Sequence, residues 1–251
     1  MKVSISNPSI QQKAKNSKGF SLVEVIIAIG IVALLLTGFL GVFGSAQRTI
    51  NKSLGVKEAN MLKNSLETEM STLRENEISA PTSYESAFHK AFSMIENSTA
   101  EANAILIYQY KAKLIDDDDK PNDGILPAFD GDDGIQGKTY ITQVAVRIKG
   151  VNNDLIEKEL ANKSVVGNVY AVRLIQLIKN PDGDLILGTP GEIKSEAGSA
   201  TNHNDYDKAV IAFQAEFFRL PSNAFGFVNS TSWDFNTMGN PVAVVNMAVR
   251  R

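Results

Sequence analysis

The sequence predicts an α+β protein: a long N-terminal helix, membrane-spanning in its first half and amphipathic in its second, packed on an antiparallel β-sheet. Three observations carry this reading. Val25 to Phe43 is an unbroken run of 19 residues without a charge. No proline occurs between Pro8 and Pro81, so nothing in that interval forces a helix to stop. Beyond residue 100, several segments are rich in β-branched and aromatic residues. A helix followed by a run of strands is the element order of an α+β domain.

The elements follow in order. At 1.5 Å per residue the uncharged run spans roughly 29 Å, about one hydrocarbon core. From there to about Glu75 the apolar residues Ala46, Ile50, Leu54, Met61, Leu62, Leu66, Met70 and Leu73 recur at spacings near three, four or seven. Lys52, Lys63, Glu67 and Arg74 fall between them. One continuous helix from about Ser21 to about Glu75 would be about 80 Å long. A coiled-coil stalk over Ala46 to Leu73 is the alternative, but its heptads are few and imperfect. Ser79 to Ser83 reads as the break. Tyr84 to Asn97 reads as a short second helix, with Ala87, Phe88, Ala91, Met94 and Ile95 on one side. Strands are expected at Ile105–Lys111, Thr139–Lys149, Val169–Lys179, Ala209–Leu220 and Val242–Val249. The turn Asn180-Pro181-Asp182-Gly183 leads into a hairpin strand at Leu185–Leu187. Six strands and a long packing helix suffice for one core.

Composition sets limits on chemistry. Of 251 residues, 43% are hydrophobic and 21% charged, a globular balance that leaves room for one membrane segment. The absence of cysteine excludes disulfides, thiol nucleophiles and thiolate metal sites. The two histidines, His89 and His203, leave little for a histidine-based metal site or a triad, so no metal site is assigned. No catalytic motif accompanies them, so no enzyme activity and no cofactor are expected. Residues 1–19 hold four lysines and no acid, and this segment should stay cytoplasmic by the positive-inside rule, although Lys52 and Lys57 on the far side weaken the bias. The remainder carries a net charge of −7 and should repel nucleic acid. Asp116 to Asp119, Asp123, Asp130, Asp132 and Asp133 offer hard oxygen ligands suited to calcium. No calcium-loop pattern fits them, and a solvated loop is the competing reading. Trp233 with Phe225, Phe227 and Phe235 reads as core or loop packing rather than an exposed aromatic contact. Arg250-Arg251 is too short for a nucleic-acid patch.

An ordinary secretory signal would explain the N-terminus, with Gly44-Ser45-Ala46 as its cleavage site. Two features oppose it. The apolar run exceeds the usual length of a signal core, and Glu24 lies in its first turn, where a charge costs about 2.5–3.5 kcal/mol at mid-bilayer and less near the interface. Lys18-Gly19-Phe20-Ser21-Leu22-Val23-Glu24, followed by Val25 to Leu36, closely resembles the class III signal of type IV prepilins and type II secretion pseudopilins. The resemblance covers residues 13–45. It implies that a membrane prepilin peptidase cuts after Gly19 and N-methylates Phe20, and that Glu24 is the filament-assembly residue. The wording Ser-Leu-Val-Glu-Val looks more like the minor-subunit branches. The helix-kinking proline of many major pilins is missing, and Gly38, Gly41 and Gly44 occupy its region.

The resemblance also implies a pilin-like fold and four segments: a cytoplasmic leader peptide (1–19), a transmembrane or filament-core helix (20–44), an amphipathic helix (45–76) and a globular α+β head (77–251). The expected function is that of a structural subunit, minor pilin-like or pseudopilin-like, of a type IV pilus or type II secretion filament. Its partners would be prepilin peptidase, other pilin or pseudopilin subunits and the inner membrane. It would sit as a single-pass protein in a bacterial inner membrane, with its head in the periplasm or on an extracellular filament. The alternative is a filament-presented or membrane-anchored binding module that recognises a secreted substrate, a surface or DNA.

Overall fold

The computed structural model describes residues 21–78, 83–114, 124–129, 140–196 and 198–251. The expected cleavage site at Gly19 and Phe20 and the expected calcium ligands Asp116 to Asp119, Asp123, Asp130, Asp132 and Asp133 lie outside these residues. Two compact units divide between Leu54 and Gly55.

Helix α1 (Leu22–Ser71) is continuous for 50 residues, so Gly38, Gly41 and Gly44 do not interrupt it. It stops four residues earlier than the periodicity suggests, and the short helix α2 (Glu75–Ile78) follows after a break at Thr72 to Arg74. Helix α3 (Ala87–Asn97) starts where Ser86 accepts a hydrogen bond from the His89 backbone N–H at 3.1 Å. Its buried face holds Phe88, Ala91, Phe92, Met94 and Ile95.

The strands are β1 (Ile105–Lys113), β2 (Tyr140–Ile148), β3 (Val165–Lys179), β4 (Leu185–Leu187), β5 (Ile193–Ser195), β6 (Gly198–Ala200), β7 (Val210–Arg219) and β8 (Ala243–Arg250). The main sheet runs β2-β1-β3-β7-β8, with β4 added beside β3, and every pairing is antiparallel. The α+β architecture and all six expected strands are therefore present. The Asn180–Gly183 turn closes the β3–β4 hairpin as expected, with Gly183 at φ 97° where a side chain would be strained. The register of β1 on β3 shifts near Gly167, whose φ of 80° accommodates a bulge.

The expectation of a single core needs correction, because the sheet buries both faces. On one face, Leu62, Leu66 and Met70 of α1 and the apolar side of α3 cover Ile107, Val172, Phe213 and Phe217. On the other face, Ile156 and Leu160 of α4 (Asn153–Ala161) pack with Leu106, Tyr108, Ala171, Trp233 and Phe235. The run Ile105 to Tyr108 is apolar at successive positions because each of its sides meets a core. Helix α4 and the short helix α5 (Phe225–Val228) were not anticipated; four of the nine residues of α4 are charged, and only Ile156, Glu159 and Leu160 are buried. Leu62, Leu66 and Met70 share a single sheet-facing stripe, which accounts for the amphipathic spacing over that part of α1.

Candidate functional site

The site begins with an exposed apolar helix. From Leu22 to Gly44, 23 residues of α1 are long and apolar enough to cross a membrane, and none of this stretch is buried. Leu34 is 76% exposed. A contiguous apolar surface of this kind requires a non-aqueous partner. Backbone polarity is satisfied within the helix, starting with Val25 N–H donating to the Ser21 carbonyl at 3.2 Å. The Thr37 hydroxyl donates to the Ala33 carbonyl at 2.8 Å, which hides a polar group that lipid would penalise. Phe39 and Phe43, one turn apart, stack at 5.8 Å.

Glu24 is the one charged residue between Ser21 and Gly44. It occupies the first turn of α1 and is exposed. A carboxylate there faces the positive end of the helix dipole. A side chain at Gly30, Gly38, Gly41 or Gly44 would meet nothing within 4 Å among the described residues.

Comparison with known families gives one result, and it falls on this helix. Residues 14–40 match the prokaryotic N-terminal methylation motif. The chain therefore carries the prepilin-type cleavage and methylation signal, and the motif supports a type IV pilin-like or pseudopilin precursor. The single apolar N-terminal helix is consistent with membrane anchoring of such a protein. Comparison with curated proteins and with solved structures finds no match to either. Of the expected site residues, Glu24 is described, in the first turn of α1, whereas Gly19 and Phe20 lie outside the described residues.

The second unit contains two buried ionic networks with no signature in the sequence. Lys90 of α3 is fully buried, and its ammonium group meets Glu69 at 2.7 Å and Glu77 at 2.8 Å. It also donates to the Thr72 carbonyl at 3.0 Å. Arg74 grips both oxygens of Glu69 at 2.6 Å. Burial pushes the Glu69 carboxyl up, but the Arg74 hydrogen bond and the Lys90 and Arg74 charges outweigh it, leaving Glu69 below the usual carboxylate range. In the second network Arg147 of β2 meets Glu159 of α4 at 2.6 Å, and the Tyr108 hydroxyl donates to the same carboxylate at 2.5 Å. These groups are satisfied inside the core, a structural arrangement rather than a reactive one.

The predicted packing role of the aromatic group holds. Trp233 and Phe235 are buried with ring centroids 5.8 Å apart, and Phe225 and Phe227 pack, partly buried, against the core cluster that holds them. The two histidines meet in the fold, His89 from α3 and His203 from the loop before β7, with Glu85 beside them. Sequence reasoning treated them as separate. Glu85 and His89 stand four apart at the start of a helix, which is a local hint, but nothing in the sequence joins His203 to them.

Proposed function

We propose that this chain is a structural subunit, minor pilin-like or pseudopilin-like, of a type IV pilus or type II secretion filament. In this reading prepilin peptidase cuts between Gly19 and Phe20 and methylates the new amine of Phe20. The mature protein stays in the inner membrane as a single-pass subunit, its head in the periplasm, until other subunits draw it into the filament. The single observation that supports this best is the methylation motif lying on an exposed apolar helix whose one charge is Glu24.

Glu24 supplies a mechanism for assembly. Its carboxylate stands about one helical turn from the Phe20 amine that processing would create. When staggered helices bundle, Glu24 of one subunit can lie opposite the cationic N-terminus of a neighbour. Pairing in a low-dielectric setting offsets the desolvation of both charges and favours one axial register. Glu24→Gln keeps the shape and removes the charge. The variant should be cleaved and membrane-inserted like the wild type, yet be missing from sheared filament fractions and from crosslinks to neighbouring subunits. Incorporation at wild-type levels would exclude the pairing.

A further inference from the structure

We infer that Glu85, His89 and His203 form a binding site for a divalent transition-metal ion of the zinc class. Their ligand atoms, one from each residue, all lie within 4.8 Å of one another. His203 Nε2 stands 3.2 Å from Glu85 Oε2, although the two residues are 118 positions apart in the chain. Donors at the usual zinc bond lengths around a tetrahedral ion sit about 3.3 Å from each other, so this pair already has the spacing that a shared metal requires. The chain has only two histidines, and the fold brings both to one place.

Further contacts hold one side of the site and leave the other free to adjust. The Glu85 backbone N–H donates to His89 Nδ1 at 3.3 Å, so Nδ1 is the unprotonated nitrogen of the neutral ring, and its lone pair becomes available to an ion when the ring turns out of this contact. His203 is buried, and its loop is fastened from the neighbouring residues: Arg251 donates to the Tyr206 carbonyl at 3.1 Å and reaches Asn204 at 3.5 Å. Glu96 of α3 lines the same cleft. The rings of His89 and His203 stack at 3.8 Å with planes 12° apart. In-plane lone pairs of parallel rings do not converge on one point, so binding requires one imidazole to turn out of the stack. His89 can do this, being half-buried at the cleft edge, whereas His203 is held. Two nitrogens and one carboxylate oxygen suit zinc, nickel or copper and disfavour calcium, which takes six to eight oxygens. Three protein donors leave a tetrahedral ion one position for water.

The test uses the tag-free full chain in detergent, stripped of metal by chelator. Zinc should bind one ion per chain and raise the thermal midpoint by several degrees, reversibly on chelation. Cobalt should give the visible bands of a nitrogen and oxygen site, with no thiolate band because the chain lacks cysteine. Glu85→Gln and His89→Gln, both at exposed or half-buried positions, should each weaken zinc binding on the order of 10- to 100-fold. His203→Asn should do the same, and because His203 is buried, its metal-free midpoint is measured first. A wild-type chain that takes up no zinc overturns the assignment. So does zinc binding that Glu85→Gln and His89→Gln leave undiminished.

Discussion

Lys90 illustrates what single residues do in this fold. Its charge has no access to water and is balanced by Glu69 and Glu77, whose own charges are shared with Arg74. Removing one member of a buried ionic group strands the others, at a cost of about 3–5 kcal/mol. Lys90→Met keeps much of the side-chain volume, so it should destabilise the chain by that amount. Equilibrium denaturation followed by Trp233, the sole tryptophan and a buried one, reads it directly. The same network gives a dependence on pH. Glu69 titrates lower in the fold than in the unfolded chain, so its contribution is full above the ordinary carboxylate range, begins to fall as pH enters that range and is gone only below its depressed native value. His89 adds a shallower loss beginning in the histidine range, because burial and the adjacent His203 hold its pKa down against the opposing pull of Glu85. The denaturation midpoint, measured with chelator present, should fall gently below about pH 6.5 and steeply below about pH 4.5. A midpoint flat from pH 7 to pH 4 would contradict the His89 assignment, and one that stays flat to about pH 3 would contradict the Glu69 assignment as well. At Tyr170, burial and the hydrogen bond to Glu58 push the hydroxyl up to about 12, so it stays protonated across this range.

Among the elements, α1 changes character along its length, and each part has its own physical cause. From Leu22 to Gly44 the helix is exposed and, apart from Glu24 and Thr37, without polar side chains, whereas Leu62, Leu66 and Met70 are buried against the sheet. Leu66 is fully buried in the core shared with α3 and β7, so Leu66→Ala should cost about 2–5 kcal/mol through lost transfer energy and the cavity left behind. Hydrogen exchange of the last turns of α1 should accelerate accordingly. An unchanged exchange rate there would show that this stretch is not held by the core. The helix ends where Arg74 turns back to Glu69 and Glu77, so charge pairing rather than a glycine or proline marks its limit.

For the whole molecule, the decisive quantity is the mass of the mature chain. Processing as a prepilin predicts N-methylated Phe20 as the first residue, and intact-mass analysis of membrane-extracted protein reads it. A chain starting at Gln47 would instead mean that ordinary signal peptidase acts. A bulky residue in place of Gly19 should leave the full-length precursor in the membrane.

How far the sequence alone reaches depends on the range of the interaction concerned. The uncharged run, the methylation motif, the amphipathic stripe of α1 and the positions of six strands were legible, because each rests on a periodicity or spacing within a few tens of residues. Helix α4 was missed because its charged sequence hides a stripe of two apolar residues and Glu159, whose burial makes sense only with Arg147 and Tyr108 beside it. The two-faced burial of the sheet, the partners of Lys90 and the meeting of His89 with His203 were decided by tertiary structure alone. Strand order and register bring these residues together across long stretches of chain, and that closure is a property of the packed whole, whereas a helix period or a processing signal is written in consecutive residues.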